Sequence, residues 1–316
     1  MFWRFLGRRG VMLLAAILIA SFAIFGAMYL TPGSPIAALT GGKSISPEAV
    51  AALKARYHLD QPFLVQYWYW LTNALHGDLG TSITLRQDVS QLIAERAWIT
   101  FALVAYAALL IVIFGIGLGI VAGLRTGWVD TSIVVISAAA AGIPSFIAAI
   151  VLLLVFSVLL GWFPAFGAGS GFGDVLWHLT LPAIALAVSA MAIVTRITRA
   201  SVRQENAAEH VQTAISRGIP RRLVLTRHVL RNAAIPITTV TGITIASLIA
   251  ISSVVDTAFG LGGLGQFLVR SAQSKDLAVV QGISLVLVIV FVVMNLIVDI
   301  IYAALDPRVK LGTRAS

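Results

Sequence analysis

The sequence predicts an all-α polytopic membrane protein with six transmembrane helices, on three observations. Of its 316 residues 59% are hydrophobic and the mean hydropathy is +0.96, far above the soluble norm. Six runs are long and apolar enough to span a bilayer, which takes about 20 residues: roughly 10–31, 98–124, 132–160, 180–198, 236–256 and 280–304. The charged residues, only 11% of the chain, gather at the ends of these runs, so the net charge of +9 does not point to nucleic acid.

The chain has no cysteine, which excludes disulfides, thiol catalysis and cysteine-bound zinc. His58, His76, His178, His210 and His228 are scattered and form no H-x-x-x-H pair, so no metal or other cofactor is expected in this chain.

Arg4, Arg8 and Arg9 precede the first run, which is longer than a signal-peptide core and reads as an uncleaved anchor. With the N-terminus inside, the segments 1–9, 125–131, 199–235 and 305–316, with Arg196, hold 15 of the 22 basic residues. That places both termini in the cytoplasm of a multi-pass protein. The chain then divides into 1–31 (N-terminal end and first span), 32–97 (extracytoplasmic segment), 98–304 (a five-span core) and 305–316 (cytoplasmic tail).

Within 32–97, Ser46-Pro47-Glu48 is a helix start and a second helix begins near Pro62. The second carries Phe63, Tyr67, Trp68, Tyr69 and Trp70, which fit either an interfacial belt or packing on the spans. Gly115, Gly119 and Gly123 recur every fourth residue of the second span, a face suited to close helix contact. Gly142-Ile143-Pro144 predicts a kink in the third span. Residues 161–182, from Gly161-Trp162-Phe163-Pro164 to Leu181-Pro182, read as an outer loop with a dipping hairpin. The fifth span holds seven hydroxyls, of which Thr241, Thr244, Ser247 and Ser252 are the candidates for lining a translocation path.

Gly260 to Gly265 spells G-x-G-x-x-G but lies between two spans rather than in a βαβ unit, so the match is accidental. No P-loop, G-x-S-x-G or H-E-x-x-H occurs, and nothing supports bond-breaking chemistry. Asp256 and Asp299, near span ends, read as structural or gating contacts.

The segment 199–235 carries seven arginines, two glutamates and two histidines at the inner face. In Arg217-Gly218-Ile219-Pro220 a glycine suited to a helix stop meets a proline suited to a start. Two short helices, Ser201–Arg217 and Pro220–Asn232, are therefore expected to form a knob that docks a partner, beyond any hold its arginines have on anionic lipid.

Gln212-Thr213-Ala214-Ile215-Ser216-Arg217-Gly218, followed by Arg227-His228-Val229-Leu230-Arg231-Asn232-Ala233-Ala234-Ile235-Pro236, resembles the EAA loop of ABC importer permeases of the dipeptide, oligopeptide and nickel type. The resemblance extends to Thr31-Pro32-Gly33-Ser34-Pro35, Leu59-Asp60-Gln61-Pro62, Gly77-Asp78-Leu79-Gly80, Val280-Gln281-Gly282 and Leu305-Asp306-Pro307-Arg308. The acid of the general motif is replaced by Gln212, and His210 stands where an aromatic is usual in this subfamily. The resemblance implies a type I importer permease fold with a coupling-helix loop and a bacterial inner-membrane location. It implies a heterodimer with a second, homologous permease subunit. Two cytoplasmic ABC ATPase subunits or domains would bind ATP and Mg, and an extracytoplasmic binding protein would deliver a di- or oligopeptide. Nickel and glutathione remain open as substrates, and a secondary transporter or channel is the reading outside the family. The residues it marks for ATPase coupling are Glu205, Ala208, Glu209, His210, Thr213, Ala214, Arg217, Gly218 and Arg222.

Overall fold

The computed structural model describes residues 2–29, 46–56 and 60–305. The Thr31–Pro35 motif, Leu59 and the tail 306–316 lie outside the described residues. The helices, in chain order, are α1 (Phe2–Tyr29), α2 (Pro47–Arg56), α3 (Phe63–Leu75), α4 (Val89–Leu124), α5 (Trp128–Ala141), α6 (Ser145–Leu159), α7 (Phe172–Asn206), α8 (Glu209–Ser216), α9 (Arg221–Phe259), α10 (Leu264–Gln273) and α11 (Leu277–Leu305). Five of them (α1, α4, α7, α9 and α11) are long and apolar enough to cross a membrane, and α5 with α6 makes a sixth, broken span.

The break is sharper than the expected kink. The two halves meet at 101°. The amide of Gly142 closes α5 on Ala139 O at 3.2 Å, and Pro144, which has no N–H, starts α6. Phe172–Leu181, expected as loop, is instead the first part of α7, which continues through Pro182. Proline is tolerated inside such helices because neighbouring groups satisfy the freed carbonyl.

α7 is the centre of the bundle, with α4, α5, α6 and α9 packed around it. Ala183, Ala185, Ala187, Ala190 and Ala192 are buried along it, with Leu103, Ile111 and Leu248 from the neighbouring helices. The glycine face of α4 lies on this helix. A Cβ on Gly119 would stand 2.4 Å from Thr198 Cβ and 2.8 Å from the Thr195 carbonyl, and one on Gly123 would stand 2.8 Å from Val202 Cβ. In lipid, where burial of apolar surface drives little association, such backbone approach is a main source of contact.

Both ends of the bundle are lashed by polar groups. At the Arg9 end, Arg9 Nε donates to Asp299 Oδ2 at 2.5 Å, tying α1 to α11. At the opposite end, Asp256 accepts from the amides of Gly263 (3.1 Å) and Gln266 (2.9 Å), so the carboxylate caps α10 where a phosphate would sit in a nucleotide loop. Thr100 Oγ1 accepts from Leu264 N at 2.9 Å, and Asp276 accepts from Ser82 Oγ at 2.6 Å. Both aspartates flagged in the sequence thus have structural partners.

Gly119→Val should cost about 1–3 kcal/mol of stability through overpacking against α7, whereas Gly117→Val, whose Cβ would meet nothing within 4 Å, should be near neutral. Thermal unfolding of the two variants in detergent measures the difference.

Candidate functional site

The site is built at the Arg9 end, where α7 and α9 run past the bundle and α8 bridges them. α7 does not stop at residue 198. It continues as one helix to Asn206, so Ser201–Asn206 belongs to the spanning helix and not to a separate knob helix. The break falls at Ala207-Ala208, where Ala208 takes an extended backbone (ψ 148) and its carbonyl accepts from Val211 and Gln212 to start α8. The second expected helix, Pro220–Asn232, is likewise the first part of α9, which passes through a π-helical stretch (Val224–Val229) and Pro236 into the bundle. One short helix between two long ones replaces the predicted pair. The Gly218–Pro220 signal marks the end of α8 and the start of α9, but nothing in the local pattern separates 199–206 from the span before it.

The stop after α8 follows the expected chemistry. Gly218 has φ +75 and donates to Ile215 O at 2.9 Å, and Ile219 N donates to Ala214 O at 3.2 Å. These are the paired bonds of a Schellman ending, which needs a left-handed residue where side chains are strained.

The helix has two faces. Val211 is fully buried and Ala214 is 4% exposed; both pack with Val202 of α7, Val224, Val229 and Ala233 of α9, and Ile120 and Leu124 of α4. Burying a valine is worth about 2 kcal/mol, enough to hold so short a helix in place. Glu209, His210, Gln212, Thr213, Ile215, Ser216, Arg217 and Gly218 face outward, with Ile215 54% exposed. Of the residues marked on sequence, Ala214 therefore turns inward, and Glu205 and Ala208 are half-buried. Arg222 is exposed at the start of α9.

His210 ties α8 to α9: its Nε2 lies 3.1 Å from the Asn232 amide nitrogen, while Glu205 Oε2 of α7, at 3.7 Å from the same atom, is beyond hydrogen-bond reach. An imidazole can hold that amide through its ring nitrogen.

Sequence reasoning missed a second junction. Asp130, at the start of α5 and 8% exposed, accepts from Arg199 Nη2 at 2.8 Å and, on its other oxygen, from Arg199 Nε. It also accepts from Arg203 Nη1 at 2.9 Å. The signal was present: Asp130 is the only acid in 125–131, and Arg199 and Arg203 are four apart on one helix face. The fork of Arg199 makes this a bidentate pair, the strong form of such a contact.

The hydroxyls of α9 mostly bond within their own helix. Ser247 donates to Thr244 O at 2.7 Å, and Ser252 to Ile249 O at 2.8 Å. Thr241 and Ser252 are buried inside the chain's own bundle, while Thr244 and Ser247 are half-buried. Ile243, Ser247 and Val254 share a face of α9, with Ile243 57% and Val254 46% exposed. That face is mostly apolar. Among the described residues no group of three or more His, Cys, Asp or Glu could hold a metal ion.

Residues 115–311 match the family described as binding-protein-dependent transport system inner membrane component, and residues 1–104 match the N-terminal family of the same membrane components. A protein of Brucella abortus (strain 2308) named as a peptide transport system permease protein is 39% identical over 307 residues, covering 96% of this chain and 98% of that protein. The glutathione transport system permease protein GsiC of Pectobacterium atrosepticum is 36% identical over 299 residues, 94% of this chain and 96% of its own length. Among solved structures, an inward-facing form of the MetNI methionine ABC transporter superposes with TM-score 0.58 at 18% identity, covering 68% of this chain and 97% of that one.

Loss of the charge in Asp130→Asn should lower the melting temperature of the solubilised protein more than Arg199→Ala does. Arg203→Ala, which removes the more exposed partner (50% against 27% side-chain exposure), should have the smallest effect. Differential scanning fluorimetry ranks the three.

Proposed function

The chain belongs to the family of binding-protein-dependent transport system inner membrane components, and from that premise we propose that α8 is the element through which a separate ATPase drives it. The permease is one half of the translocation path of an ATP-driven importer, the other half being a second, homologous permease subunit. Two ABC ATPase subunits or domains bind ATP and Mg and dock on α8, and an extracytoplasmic binding protein brings the substrate to the opposite face. Both termini and α8 then lie in the cytoplasm, as the count of basic residues expects.

The seating of α8 carries this reading. Its inner face shares one small core with the ends of α7, α9 and α4, so a push on its outer face moves these helices together. Its outer face is polar and open, with Glu209, Thr213 and Ser216 along the middle and the exposed Ile215 at one edge beside the buried Val211, so a partner can reach it without disturbing the inner face. The sequence has no P-loop of its own, which fits a motor on another chain. A stand-alone transporter would give α8 no reason to expose that face.

The substrate is a di- or oligopeptide. The relative named for peptide transport supports this, and the relative named for glutathione transport keeps that tripeptide in the same chemical class. Of the path candidates on α9, Thr244 and Ser247 remain, because Thr241 and Ser252 face the chain's own interior.

Gly218→Pro cannot hold the φ of +75 that ends α8. It should reduce co-purification of the ATPase subunits at least tenfold while membrane insertion is unchanged, and Gly218→Ala should act in the same direction more weakly. ATPase recovery equal to wild type from the proline variant would overturn the docking role of α8. Calorimetry on the partner binding protein should show peptide binding; nickel binding without it would replace the substrate class.

A further inference from the structure

We propose that α3, within the segment that links the first span to the core, is a membrane-embedded helix whose outer face is covered by lipid acyl chains. The argument starts from the depth of its contacts on α1. The apolar window of α1 runs Arg9–Ala27, 19 residues, about 28 Å at 1.5 Å per residue, close to the thickness of a bilayer's hydrocarbon core. Leu18 is the middle residue of that window. Tyr67 of α3 reaches this level: its hydroxyl is 2.8 Å from Ser21 Oγ and donates to Leu18 O at 3.4 Å. Ser21 stands about 18 Å along α1 from Arg9, and a tyrosine hydroxyl lies within about 10 Å of its own helix axis, so the axis of α3 near Tyr67 is still inside the core.

The helix also stays at that depth. Phe63 packs on Phe22 and Phe25 with ring centroids 5.5 and 5.4 Å apart, and Trp70 packs on the same Phe25 at 5.7 Å. Residues seven apart on α3 thus meet one ring of α1, so α3 crosses α1 instead of rising along it.

The composition agrees independently. FLVQYWYWLTNAL contains no Asp, Glu, Lys or Arg. Three of its polar side chains are bonded within the chain: Gln66 Nε2 donates to Gln61 O at 2.8 Å, Thr72 Oγ1 to Trp68 O at 2.9 Å, and Tyr67 is held by Ser21. Hydrocarbon demands such internal satisfaction; water does not. The face turned away from α1 carries Leu64 (66% exposed), Trp68 (62%) and Val65 (37%). An apolar face at this depth, on a helix without charge, fits the acyl chains of the leaflet opposite Arg9.

The natural chain has no cysteine, so single-cysteine variants can be spin-labelled site by site in the complete transporter reconstituted in liposomes. Leu64→Cys and Trp68→Cys should give nitroxides reached by oxygen several-fold more readily than by a water-soluble nickel chelate. Asp60→Cys, beyond the start of α3, should give the reverse order. Val65→Cys replaces either reporter that fails to insert. Chelate access at 64 and 68 would overturn the proposal in favour of an aqueous surface. Shielding from both reagents would overturn it in favour of a protein cover by another subunit.

Discussion

The backbone contact between α4 and α7 is the constraint on which the rest of the structure depends. At Gly119 the two helices approach so closely that a single methyl group would collide with Thr198 and with the Thr195 carbonyl. Contact of this kind has few alternatives: helices in lipid gain little from hiding apolar surface, so the register is set by where small residues allow approach. The seam ends at Gly123 on Val202, which lies between Arg199 and Arg203, the two arginines of α7 that hold Asp130. Close packing inside the membrane therefore passes directly into an ion-pair knot at its edge. The part of α7 that leaves the bundle is thereby tied to the start of α5.

That continuity is what the proposed coupling role of α8 draws on. A short helix on flexible tethers would absorb a push; here both tethers are helices, and the inner face of α8 belongs to their shared core. His210 adds a polar tie from α8 to Asn232 of α9. The breaks are confined to Ala207-Ala208 on one side and Gly218 to Pro220 on the other, where the backbone turns through conformations a helix cannot continue. Rigid arms with sharp corners transmit displacement.

Much of this was legible in the sequence because it rests on local chemistry. The glycine spacing of α4, the stop at Gly218 and the break at Gly142-Pro144 each depend on what one or two residues permit the backbone to do. The six apolar runs needed only hydropathy. What escaped was non-local or lacked a stop signal. Asp130 gains its role from two arginines about seventy residues away, and Phe172–Leu181 reads as loop because glycines and aromatics crowd the stretch 161–182 to which it belongs. The hydroxyls of α9 suggested a wet path, yet a hydroxyl in a helix can bond back to the preceding turn, and most of these do.

The two ends of the bundle are built on different principles. At the Arg9 end the ties join charged side chains across helices, Arg9 to Asp299 and Asp130 to Arg199 and Arg203. At the other end, carboxylates and hydroxyls hold backbone amides: Asp256 on Gly263 and Gln266, Thr100 on Leu264, and Asp276 on Thr84. A side-chain pair can re-form after its helices slide by a small amount, since both partners have rotamers to spare. A bond to an amide at a helix start has only one geometry. The first arrangement suits an end that is proposed to receive a push, and the second suits an end where loops must keep their shape while the spans beneath them move.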